Sequence, residues 1–158
     1  MHSSKLLLVS FFTVFSQVAW ANSYDAHGTG IATSSSVTTK VSEGLVVVDV
    51  HTDYEKFDTV DPQNPLTTVK GPCFGAIMIK AGQVSGGGVC NYTDHDGDMA
   101  IISWVPQGIG RDGLTLGIWS VEGGTGKWDR ASGGGAFRAG IRDDGNYRND
   151  VTGAITLP

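Results

Sequence analysis

Gly123-Gly124-Thr125-Gly126-Lys127 comes nearest to a recognised chemistry, since glycines and a lysine cradle phosphate in nucleotide-binding loops. Such a loop needs four residues between its first Gly and the Gly-Lys pair, Ser or Thr directly after the Lys, and a helix behind it. Gly124 stands only two positions before Gly126, Trp128 follows Lys127, and the residues beyond read as strand. The segment is therefore a tight connection between strands. It predicts costly backbone angles at Gly124 and Gly126, and no nucleotide site.

Asp94-His95-Asp96-Gly97-Asp98 is the second candidate, with carboxylates at alternate positions as at the start of a calcium loop. An EF-hand places Gly at position 6 and a bidentate Glu at position 12, where this chain has Met99 and Pro106. The segment reads as a polar hairpin turn on Asp96-Gly97, with a cation held by Asp94, Asp96 and Asp98 as the alternative. His27, His51 and His95 show no metal-ligand spacing, and no cofactor motif is present. No nucleophile-elbow pattern supports Ser-His-Asp catalysis, so no catalytic residue is assigned. Trp104, Trp119 and Trp128 sit in or beside strands; they either pack a core or line a ligand cavity.

These residues must be positioned by strands. Leu45–His51, Phe74–Ile79, Met99–Val105, Leu114–Val121 and Val151–Leu157 are rich in β-branched residues, with a period of two. Turn signals fall between them at Asp96-Gly97, Gly108–Gly113, Gly123–Gly126 and Asp144-Gly145-Asn146. About seven or eight short strands without an amphipathic helix predict an all-β barrel or sandwich. Residues 22–44 read as an N-terminal polar segment with a first strand, 45–158 as the barrel domain, and 58–72 as an irregular loop carrying Pro62, Pro65 and Pro72. All of the 23 glycines follow residue 21, many inside strand runs. Interior glycine weakens a strand, so tight barrel curvature is the favoured reason and close backbone approach to a ligand the alternative.

Lys5, the apolar run Leu6–Phe15 and Ala19-Trp20-Ala21 form a secretory signal peptide over residues 1–21, too short for a membrane span. The product is expected to be secreted or periplasmic. In that compartment Cys73 and Cys90 read as one disulfide, since folding the chain about Gly82 sets them nearly opposite. Asn91-Tyr92-Thr93 is a glycosylation sequon, relevant in a eukaryotic host. The formal net charge is −5, and no basic cluster exists, which excludes nucleic acid as a partner.

The Gly123–Lys127 segment resembles the Gly-Gly-Thr-Gly-Lys signature of the dirigent proteins and of the allene oxide cyclase barrel-like group. Gly86-x-Gly88-x-Cys90 leading into Asp94-x-Asp96-Gly97-Asp98, and the closing Gly153-x-Ile155-x-Leu157-Pro158, support it over about the last two thirds of the mature chain. The resemblance implies a single antiparallel eight-stranded barrel of calycin-like form with a central cavity. Known members include cyclases and stereochemical guides acting on apolar substrates. Trp128 stands where Phe is usual, and none of the acidic, Asn or Tyr residues that do chemistry in the plant enzymes can be placed. Two functions follow: a barrel binding an apolar small molecule, with a cyclase- or isomerase-like activity, or a non-catalytic structural or interaction protein with a packed barrel.

Overall fold

The computed structural model describes residues 21–158, so the signal peptide read over 1–21 lies outside the described residues apart from Ala21. Nine strands run in chain order: β1 (Asn22–Asp25), β2 (Gly28–Ser42), β3 (Leu45–Thr59), β4 (Gly71–Lys80), β5 (Gln83–Thr93), β6 (Met99–Ile109), β7 (Thr115–Gly124), β8 (Ser132–Ile141) and β9 (Tyr147–Leu157). Every pairing among them is antiparallel. β3 to β9 follow one another around the sheet, and β9 then pairs with β1 and β2. β1 covers the end of β9 and β2 its beginning. The break between them is bridged by the Ala26 N–H, which donates to Gly153 O at 2.9 Å. β1 and β2 act as one stave, and the described residues form a closed eight-stranded barrel.

Closure is complete at one end only. β2 meets β9 over Gly28–Ala32 alone, and β5 meets β6 over Gly88–Thr93 alone. Beyond those residues the staves splay into two four-stranded halves, β2–β5 and β6–β9. The interior therefore opens at that end.

The segment expected to be an irregular loop, 58–72, is more ordered than its prolines suggest. β3 runs on to Thr59, and Pro65–Thr68 forms a 3-10 turn capped by Asn64, whose Oδ1 accepts from Leu66 N at 2.8 Å. Asn64 is fully buried and its Nδ2 donates to Asp25 O. Pro65 fits because the first turn of a helix needs no N–H there. Leu66 and Val69 are thereby pressed into the core.

Cys73 and Cys90 are bonded, lie directly opposite on β4 and β5, and have Cα atoms 3.9 Å apart. The bridge closes a loop of sequence separation 17. Replacing either cysteine with Ser is expected to cost about 2–4 kcal/mol, chiefly by freeing the unfolded chain. Denaturant unfolding of the oxidised protein and of each variant measures it.

Interior glycines make room for rings. Gly75, Gly88 and Trp104 sit side by side on β4, β5 and β6. A Cβ at Gly75 would come 2.7 Å from the Trp104 indole, and one at Gly88 2.6 Å. The Trp104 ring thus lies flat over a strip of bare backbone, and meets Phe137 edge-on with centroids 6.5 Å apart. These two glycines accommodate the protein's own tryptophan, a use that neither curvature nor ligand approach anticipates.

Candidate functional site

The candidate site is the barrel interior, a cavity of about 300 Å³. Its walls follow the strand period: Val48, Val50, Thr52 and Tyr54 of β3 alternate with exposed or half-exposed neighbours, as do Tyr147, Asn149 and Val151 of β9. Most of the lining is apolar, with Ile77, Ile102, Trp104, Trp119 and Phe137 around the middle and Leu66 at the closed end. Ser34, Ile109 and Ile141 stand towards the open end. Among the described residues, no Asp, Glu, Lys, Arg or His lines the cavity.

A polar cluster interrupts this apolar wall. Asn149 Nδ2 donates to the Tyr54 hydroxyl at 2.8 Å. The Tyr147 ring packs edge-on against Tyr54, with centroids 6.3 Å apart. Thr52 Oγ1 lies 2.8 Å from Ser34 Oγ. The Tyr92 hydroxyl meets Cys73 Sγ at 3.1 Å, and its ring packs edge-on against Tyr54 with centroids 5.7 Å apart. Burial pushes all three phenols above their ordinary pKa; for Tyr54 the neighbouring phenols add to this, and for Tyr147 the nearby Tyr54 and Thr52 hydroxyls and the Arg142 charge offset part of it. At neutral pH the three are uncharged. Such a cluster can hold and orient a neutral polar group, while no residue in the wall is an ionised acid or base.

The sequence candidates divide between this cavity and its closed end. Trp104 and Trp119 line the cavity, and Trp119 Nε1 donates to Thr152 O at 3.1 Å. Trp128 does not line it. It is completely buried after the β7 strand, in a 3-10 turn over Gly126–Trp128, where the sequence reads as passing straight into strand. Tyr54, Tyr92, Tyr147 and Asn149 were not singled out by sequence reasoning. The alternation Tyr147-x-Asn149-x-Val151 was the available signal that they share one face.

The glycine-lysine segment and the aspartate turn, far apart in sequence, form one clasp. Asp94 Oδ2 accepts from Trp128 Nε1 at 3.0 Å and pairs with Lys127 Nζ at 2.9 Å; Lys127 also reaches Asp96 at 2.9 Å. Asp94 Oδ1 accepts the backbone N–H of Asp96 and Asp98, at 2.9 and 3.0 Å. Asp98 accepts from Lys127 N at 3.2 Å, and Thr125 Oγ1 from Met99 N at 2.9 Å. Burial raises the Asp94 carboxyl, but the bonds from Lys127, Trp128 and the turn N–H groups outweigh it and hold its pKa below the usual range. Burial likewise lowers Lys127, and its bonds to Asp94 and Asp96 carry it above the ordinary lysine value.

The clasp corrects one expectation, the backbone of Gly124. The carboxylates of Asp94, Asp96 and Asp98, the alternative cation site, are engaged by Lys127, Trp128 and backbone N–H groups. Gly126 does have left-handed backbone, φ +54, pressed against the Asp98 carboxylate. Gly124 does not; it is bare because a Cβ would strike Met99 O. Gly123, with φ +113, is the other left-handed residue of the motif. His27, His51 and His95 each pair with a neighbouring exposed aspartate.

No family model and no curated protein matches the chain. Among solved structures, it is similar to the pterocarpan synthase dirigent protein GePTS1, with 15% identity, a TM-score of 0.52, and coverage of 94% of this chain and 99% of that one. The resemblance read from Gly123–Lys127 thus agrees with the three-dimensional comparison, and the architecture of this chain is the dirigent-like eight-stranded antiparallel barrel.

Proposed function

We propose that this protein is an extracytoplasmic β-barrel that binds an apolar small molecule in its interior. The observation carrying this reading is the cavity of about 300 Å³, apolar in its walls, with a hydrogen-bonded phenol and amide cluster on one side. Ligand sites combine these features, whereas a barrel serving only as a scaffold fills its interior with side chains. Cyclisation or isomerisation of the bound molecule, the activity its resemblance implies, would rest on shape and on hydrogen bonds from neutral phenols.

Trp104 and Trp119 report occupancy directly. A neutral apolar probe such as N-phenyl-1-naphthylamine is expected to shift indole emission and to raise the melting temperature by mass action, about 2.7 kcal/mol of added stability at 100 times Kd. Trp104→Phe should diminish the emission change, while Trp128 contributes none. Unaltered emission and melting at saturating probe would remove the binding role and leave the structural one.

The location belongs to the same proposal. The disulfide suits an oxidising compartment, and among the described residues no helix is long and apolar enough to cross a membrane. Export should leave a mature N-terminus at Asn22, read by intact mass. Full-length protein confined to the cytoplasm would refute this.

A further inference from the structure

We infer that the cavity selects an uncharged ligand, an apolar body ending in a hydroxyl, and that Asn149 Oδ1 accepts the hydrogen bond of that hydroxyl. This deepens the binding role proposed above and rests on it.

The hydrogen bonds of the polar cluster are two pairs, Ser34 with Thr52 and Asn149 Nδ2 with the Tyr54 hydroxyl, on either side of the Tyr147 ring packed against Tyr54. Neither pair reaches Asn149 Oδ1. Among the described residues this is the buried side-chain polar atom left without a partner, and its residue lines the cavity. Buried acceptors are ordinarily satisfied, so an orphan in a cavity wall marks where a ligand's donor belongs. Solvent is shut out from this oxygen, so its bond must come from a molecule that brings a donor against it. Turning the amide over would leave its NH₂ unmatched instead, and a hydroxyl, which also accepts, would serve that arrangement too.

Charge is excluded by the rest of the wall. Among the described residues no ionisable side chain other than tyrosine lines the cavity. Arg142, whose charge reaches Tyr147, is already paired with Asp150 at 2.8 Å. A carboxylate or an ammonium would lose its hydration here and gain no counter-ion. The volume, at the lower end for ligand sites, suits a molecule of about nine to seventeen non-hydrogen atoms. A medium-chain or alicyclic alcohol fits these terms, and a fatty carboxylate does not.

The test uses the unmodified protein and four probes at pH 7.5: 1-octanol, its isomer heptyl methyl ether, octanoate and octylammonium. Calorimetric titration is expected to rank 1-octanol at least about tenfold tighter than the ether, which lacks only the donor. Both ions should bind more weakly than the ether. Asn149→Ala should bring the alcohol and the ether together while the ether remains bound. The ranking in the unmodified protein decides the matter even if that variant does not fold. Equal binding of alcohol and ether, or octanoate matching 1-octanol, would overturn the proposal. So would failure of all four probes where N-phenyl-1-naphthylamine still binds, with the binding role itself intact. If that probe fails as well, both readings fall.

Discussion

Asp94→Ala is expected to destabilise the protein by about 3–5 kcal/mol, because it leaves the buried Trp128 indole N–H and two turn N–H groups without their acceptor and reduces Lys127 to its pairing with Asp96. The Asp94 side chain is 0% exposed, so solvent cannot replace what is lost. Lys127 is partly exposed, at 30%, and Lys127→Met should cost less despite removing the same ion pair. The sign of the pH dependence follows from the two titrations. Asp94 has a folded pKa below its unfolded value of about 3.9, so its contribution is complete above about pH 5 and is lost as pH falls through the folded pKa. Lys127 has a folded pKa above its unfolded value of about 10.4, so its contribution is complete below about pH 9 and is lost as pH rises through the folded pKa. Between those limits the clasp adds no pH dependence. Urea unfolding of the parent and of Asp94→Asn across pH 3–7 measures both: the variant should be less stable at pH 7 and should lose less as pH falls. Equal stability at pH 7 would mean that the clasp holds nothing together.

Trp119→Ala is the second large effect, also about 3–5 kcal/mol, or a fall in Tm of about 10–20 °C. Trp119 is 6% exposed on the cavity wall, and its indole is the side-chain donor to Thr152 O of β9, reaching over the intervening β8. Truncation removes the ring and leaves that carbonyl with one bond fewer. Phe at the same position keeps most of the apolar surface and loses the N–H, so Trp119→Phe should cost only about 1–2 kcal/mol. A Trp119→Ala variant as stable as the parent would show that the barrel wall closes without the ring. The same truncation enlarges the cavity, so the surviving protein should accept bulkier apolar probes than the parent does.

The clasp shows how legibility fails. Its two halves were both singled out, Gly123–Lys127 as a tight connection and Asp94–Asp98 as a polar turn, yet nothing in the chain announces that they touch. Lys127 and Asp94 meet because β6 and β7 pair in a register that sets Ala100 against Gly124, which brings both connections to the same end of the barrel. The glycine pattern fails differently. A glycine inside a strand says that a side chain is unwelcome, but whether curvature, ligand or ring excludes it depends on the strand alongside. At Gly75 and Gly88 a Cβ would meet both a carbonyl of the adjoining strand, Gly87 O or Phe74 O, and the Trp104 ring, which stands two strands from the first and one from the second.

The sequence by itself determined the strand period, the hairpin turn at Gly82 that brings Cys73 opposite Cys90, and the Gly-Gly-Thr-Gly-Lys signature of the barrel. These are local: a period of two, a turn residue and a motif each need only a few consecutive positions. Only the tertiary structure decided which face of each strand looks inward, since one residue of register moves every side chain across the sheet. That choice put Tyr54, Tyr92, Tyr147 and Asn149 into one cavity from three strands, and sent Trp128 to the closed end while Trp104 and Trp119 faced the space. Closure of β9 on β1 and β2 fixed the choice, because it joins the two ends of the chain into one wall.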